Sequence, residues 1–198
     1  MKKVLKVLAI LLVIVAIVCG AYFIALQATK KESMKTVDEL FLALKSGDEE
    51  KIKEYITLED NETSTDDTIN TSEMEKVMLK NLSYEVVSTD VKLNECKVKL
   101  NVSNKDLKTV FGNYMKKALS LAFSQAFSQF SEEEMTTQLE KYFVEQYDSE
   151  DIEMVKNELN VTVKRENGKW KITYDKDEMK NALVPGYKEI MESFNSMV

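Results

Sequence analysis

Val7 to Leu26 is a run of twenty residues without a charge, inside the opening stretch MKKVLKVLAILLVIVAIVCGAYFIALQATKK. Wound as an α-helix it spans roughly 30 Å, the hydrocarbon thickness of a bilayer. Lys2, Lys3 and Lys6 precede it, and Lys30, Lys31 and Lys35 follow, so the positive-inside bias is weak. The short leading end most simply stays inside, which puts the body outside the cytoplasm. Three fates compete. An uncleaved signal anchor suits a run this long. A cleaved signal peptide could end at the small residues Cys19-Gly20-Ala21. A lipoprotein would acylate Cys19, but Val18 stands where a small residue is expected and the apolar run continues past it. The expected division is a signal-anchor or transmembrane segment at 1–31 and an extracytoplasmic α+β domain at 32–198, on a single-pass protein of the cell membrane.

Charge narrows the partners. The chain has 27 basic and 34 acidic residues. Three lysines precede the apolar run, which leaves 24 against 34, a net charge of −10 on the rest. That counts against nucleic acid, and against docking on an anionic leaflet through a basic patch. There is no His. Cys96 is alone in the body, so the body holds no intrachain disulfide, and a Cys-poor exported domain suits a bacterial envelope. No phosphate loop, dinucleotide glycine pattern, zinc spacing or thiol redox pair is present, so no cofactor and no metal are implied. Asp60, Glu62, Asp66 and Asp67 crowd a polar stretch, but without the EF-hand spacing or its Gly; they read as a solvated loop.

The body is organised around Leu159 to Asp175, LNVTVKRENGKWKITYD. Asn167-Gly168 tolerates the two positive-φ positions of a type I′ turn, so the stretch predicts a β-hairpin. Glu166 then faces Lys169, Arg165 faces Trp170, Val163 faces Ile172 and Val161 faces Tyr174. One face is Val161, Val163, Arg165, Trp170, Ile172 and Tyr174, and the other is polar: a sheet with one wet and one covered side. Leu82 to Val91 and Cys96 to Ser103 read as two more strands, with Cys96 one more small apolar residue. Helices are expected at Ser33 to Lys45, Glu49 to Ile56 and Ser72 to Lys80, with Gly47 and Asp48 as stop and start signals. Asp106 to Phe130, then a capping box at Ser131 to Glu134, predict a helical hairpin between the two strand pairs. Asp148 to Lys156 reads as one or two further helical turns. Lys176 to Val184 and Tyr187 to Met197 are helical, separated by Pro185-Gly186.

This order resembles the nuclear-transport-factor-2-like (cystatin-like) domains of small membrane-anchored or lipoprotein-type bacterial envelope proteins of unknown function. The resemblance is carried by VDELFLALKSGDEEKIKEYI (Val37 to Ile56), KNLSYEVVSTDVKLNECKVKLNVSNKD (Lys80 to Asp106) and VTVKRENGKWKI (Val161 to Ile172), within residues 33–184. It implies a curved antiparallel sheet of about four strands wrapped by helices into a cone. In some members the cone is an active site or ligand pocket; in many others it is filled or used for protein contacts. This chain departs from the enzymatic pattern: it has no His for acid–base work, and its inward positions are almost all apolar. The 106–147 hairpin is an insertion relative to the simplest members and could plug or cover the sheet.

Two sets of candidate residues follow. Arg165 is the one charged residue in the inward pattern. With Trp170 and Tyr174 it would form a ligand site at the cone mouth; alternatively it stacks across the hairpin on Trp170 with its head in water. Phe123, Phe127 and Phe130 extend an apolar arc broader than one sheet face needs. They are either core or a docking surface for a partner. The first functional reading is a non-catalytic, membrane-anchored extracytoplasmic module that binds another envelope component. The rivals are a small-molecule-binding domain or enzyme using the concave face, and a structural or immunity-type partner of a secreted protein.

Overall fold

The computed structural model describes residues 2–57, 73–127 and 131–195, with side chains from residue 10 onward except at 73–75, 125–127 and 194. It begins with one unbroken helix, α1, from Lys2 to Ser46, 45 residues long. The sequence suggested two elements meeting near residue 31. Gln27-Ala28-Thr29-Lys30-Lys31-Glu32 holds no Gly or Pro and no helix stop signal, so nothing interrupts the i to i−4 ladder. What changes along α1 is its surroundings. The side chains of Ile10 to Phe23 are exposed, whereas Thr29, Ser33, Thr36, Val37, Leu40 and Leu44 are buried. Those spacings of three and four residues put them on one helix face.

Gly47, at φ +66°, turns the chain out of α1. Asp48 caps α2 (Glu49–Tyr55), accepting the Lys51 N–H at 3.1 Å. Then follow α3 (Glu73–Leu79), β1 (Ser83–Lys92), β2 (Glu95–Lys105), α4 (Leu107–Phe127), α5 (Glu132–Asp148), β3 (Met154–Glu166), β4 (Lys169–Tyr174), α6 (Lys176–Leu183) and α7 (Tyr187–Asn195). The four strands form one open antiparallel sheet in the order β1-β2-β3-β4. The β3–β4 pairing is the one the Asn-Gly turn dictates, with Asn167 and Gly168 both at positive φ. Leu93-Asn94 makes a second tight turn between β1 and β2. The expected helical turns at 148–156 are not there. α5 closes on Ser149, and β3 starts at Met154 because β2 runs to Lys105 and its last residues pair with Met154 to Lys156. The capping box at Ser131 and Glu134 forms as read.

One sheet face is packed. Cys96, Val98, Leu100 and Val102 of β2, Leu159, Val161 and Val163 of β3, and Ile172 of β4 are buried against Val37, Leu40, Phe41 and Leu44 of α1, Ile52 of α2, and Met179 and Ala182 of α6. Each such aliphatic side chain contributes about 1.5–3 kcal/mol on burial. The opposite face carries ion pairs such as Lys99–Glu158 at 2.8 Å and Lys156–Glu85 at 2.9 Å. The α4–α5 hairpin neither plugs nor covers the sheet. Its base forms a second cluster, with Leu107, Val110, Phe143, Tyr147 and Ile152 packed against Val77 and Met78 of the α3 segment and against Val184 and Ile190.

Asn104, fully buried at the end of β2, joins the two clusters. Its amide donates to the carbonyls of Met78 at 2.8 Å and Leu183 at 2.6 Å, and its side-chain oxygen accepts the Lys105 N–H at 2.8 Å. Tyr147 Oη donates to the Lys105 carbonyl at 3.4 Å. Asn104→Ala strands two buried carbonyls and one N–H. Chemical unfolding should show a loss of about 2–4 kcal/mol, against roughly zero for Asn101→Ala on the polar face.

Candidate functional site

β3 and β4 place Arg165 and Trp170 directly opposite each other, with Tyr174 farther along β4 on the same face. The three do not surround a void. Trp170 and Tyr174 are half-buried and lean on the packed core, whereas Arg165 is exposed. The expected stacking of its guanidinium on Trp170 is not among the ring contacts of the described residues, nor does Arg165 make an ion pair there. Its backbone N–H donates to the Asn94 carbonyl at 3.0 Å, tying the two sheet turns together. Burial raises the Tyr174 hydroxyl above its ordinary value, more than nearby Lys176 lowers it. It is a neutral packing group at physiological pH.

Beside Trp170 lies an open cleft of about 200 Å³ between α1, the end of α2 and the β3–β4 turn. Most of its charges are paired, with Lys171 adding a bond beside it. Lys35 pairs with Glu39 at 3.7 Å, Lys169 with Glu54 at 3.1 Å, and the Lys171 ammonium donates to the Glu54 carbonyl. The Tyr55 hydroxyl is raised first by burial and then by its hydrogen bond to the Glu39 carboxylate. None of these residues stood out in the sequence, because the cleft joins positions some twenty to well over a hundred residues apart. Its size and its pairs suit structural cross-bracing of β4 to α2, and of α2 to α1 through Tyr55 and Glu39, better than catalysis.

A second cleft, about 470 Å³ and open, lies where the last turns of α1 meet β1. Phe41, Leu42 and Leu82 give it an apolar floor. Tyr84 packs on Phe41 with ring centroids 4.3 Å apart and planes tilted by 40°, and donates its hydroxyl to the Asp38 carboxylate. Burial and then Asp38 push the Tyr84 hydroxyl far above its ordinary value. The phenol thus keeps its proton near neutrality and donates it to a fixed hydrogen bond with Asp38.

The arc on α4 divides. One side packs on α5: Tyr114 meets Phe143 edge-on with centroids 6.1 Å apart, and Asn113 donates to Gln146 Oε1 at 2.8 Å. On the other side Met115, Leu119 and Phe123, four residues apart, are 40%, 57% and 70% exposed. Phe123 is therefore surface. Phe127 ends α4, but its side chain and the whole of Phe130 lie outside the described residues, as do Asp60, Glu62, Asp66 and Asp67. Among the described residues no cluster of Cys, Asp and Glu is placed to hold a metal ion. One helix, at the N-terminus, is long and apolar enough to cross a membrane. Comparison with family models, with curated proteins and with solved structures finds no match to this chain.

Cys96 is fully buried, and burial raises its thiol above the free value, outweighing the opposing influence of neighbouring Ser33. In a Cys19→Ser chain, a thiol-specific reagent should leave the native protein unlabelled and modify it stoichiometrically once denatured; labelling of native protein would contradict this burial. Tyr147, also fully buried, has its hydroxyl raised by burial and then by Asp106. A raised group contributes stability that is complete below the unfolded value near 10 and is lost as pH rises toward the folded value. The midpoint of unfolding should fall between about pH 9 and pH 11, and fall less in Tyr147→Phe.

Proposed function

We propose that this chain is a single-pass, membrane-anchored binding module of the bacterial cell envelope, with a non-catalytic domain outside the cytoplasm that captures another envelope protein on α4. The observation that carries the reading is the contrast between two apolar surfaces. The covered sheet face, where the cystatin-like fold would keep a pocket, is occupied by α1, α2 and α6. The stripe Met115, Leu119 and Phe123 is left uncovered by the rest of the chain. Apolar side chains at i, i+4 and i+8 are the arrangement by which one helix presents itself to another helix or to a groove. A four-strand meander behind two N-terminal helices supports the nuclear-transport-factor-2-like assignment. The apolar half of α1, leaving the domain without a break, supports the anchor.

The reading makes Phe123 expendable for folding and necessary for capture. Phe123→Ser should leave the unfolding free energy within about 0.5 kcal/mol of the parent chain. It should also abolish the discrete adduct formed in cells by a photo-crosslinker at residue 119. A loss of more than about 2 kcal/mol would make the stripe part of the core and end the docking reading. Extraction of the full chain from membranes by alkaline carbonate would end the anchor reading.

A further inference from the structure

The packing of α1 fixes which end of the sheet points back along the apolar run. Near its C-terminal end, Leu42 and Lys45 meet Leu82 and Ser83 at the start of β1. One to seven residues earlier, Asp38 and Phe41 meet Tyr84. Earlier still, Ser33 neighbours Cys96, next to the β1–β2 turn, with Lys30 within electrostatic reach of its thiol, and Glu32 and Lys35 share a cleft with Gly168 of the β3–β4 turn and Lys169. β1 therefore runs opposite to α1, and both turns sit where the apolar half departs. At 1.5 Å per residue Lys30 stands roughly 6 Å, and Ser33 roughly 10 Å, beyond Leu26. The strand extends two residues past Cys96 to the turn, up to about 7 Å back toward Leu26. Its tip thus reaches the level of a headgroup layer about 5–8 Å deep.

The chemistry at this end is unlike the rest of the body. Leu93, at the tip of the β1–β2 turn, is 50% exposed. The strand ends at 90–97 and 164–166 and the α1 segment at 30–32 carry Lys30, Lys31, Lys92, Lys97, Lys164 and Arg165 against Glu32, Asp90, Glu95 and Glu166, a net charge of +2 on a body whose net charge is −10. Lys92 and Lys164 share one carboxylate, Glu95, at 3.9 and 3.4 Å. Lys30, Lys31 and Arg165 have no ion-pair partner among the described residues. A net acidic charge argued against an anionic surface only while the charge was taken as evenly spread; the fold sorts it.

We propose that the turn end of the sheet, with Leu93 at its tip and Lys92, Lys164 and Arg165 around it, rests on the anionic lipid headgroups of the membrane that α1 enters. The proposal depends on the anchor reading and adds a second lipid contact, which sets the domain's tilt. Each cation near such a surface adds to the attraction, which fades within a Debye length of about 10 Å at 0.1 M salt. A polar turn alone would be indifferent to lipid charge.

The test uses the full chain carrying Cys19→Ser, in nanodiscs of phosphatidylglycerol and phosphatidylcholine, with a fluorophore on Leu93→Cys or, at the far end of β1, on Ser83→Cys. A headgroup-level lipid quencher should quench the Leu93 site several-fold more than the Ser83 site. The excess should fall to near nothing in phosphatidylcholine alone, at high salt, or in the Lys92→Gln, Lys164→Gln, Arg165→Gln chain. Equal quenching at the two sites, with the chain still held in the disc, overturns the proposal and leaves the anchor standing. Strong Leu93 quenching that ignores lipid charge overturns the electrostatic recognition. A chain that is not retained in the disc overturns the anchor and this proposal together.

Discussion

The hydrogen-bond ladder of α1 is the constraint from which the rest follows. A helix must satisfy its own backbone wherever it goes, so α1 passes from an apolar run into a folded domain with no loop between. Its domain half then serves as the central rod of the packed layer. Val37, Leu40, Phe41 and Leu44 bury themselves against a sheet whose inner face is aliphatic along β2 and β3. The smaller helices α2 and α6 fill the flanks that one rod leaves open. Removing the rod would expose the centre of the inner face, a contiguous apolar patch.

Polar chemistry inside this fold is sparing and serves as fastening. Asn104 satisfies three backbone groups from three segments at the end of β2, and Tyr147 donates beside it. Buried amides of this kind are costly unless every bond is made, and therefore select one arrangement over near alternatives. They hold the α4–α5 hairpin at the sheet's far end, away from the turns. The exposed stripe on α4 and the basic turn end thus belong to different regions of the molecule.

Much of the architecture is legible in local sequence because local chemistry decides it. Asn167-Gly168 fixes the β3–β4 register, Asp48 and Ser131 start helices, and alternation along β2 names the buried face. The breadth of the α4 arc announced a surplus face, and Phe123 is on it. What could not be read is what depends on long-range juxtaposition or on missing punctuation. Lys30-Lys31-Glu32 looks like a boundary because polarity changes there, yet charge does not stop a helix. The stretch at 148–156 looks helical and acidic, and only pairing with the tail of β2 makes its last residues a strand. Glu39 with Tyr55, Asp38 with Tyr84, and Asn94 with Arg165 meet through tertiary packing alone. Arg165 has inward strand parity, yet next to the end of β3 it is exposed, in keeping with the alternative that leaves its head in water.

The unbroken helix also sets direction. Each residue turns an α-helix by about 100° and advances it by 1.5 Å. Azimuth and height of the domain are therefore locked to the face that α1 turns toward its surroundings. Residues 27–32 are helical throughout, so the chain has no swivel there, and the stripe Met115, Leu119 and Phe123 keeps one fixed bearing relative to the apolar half of α1.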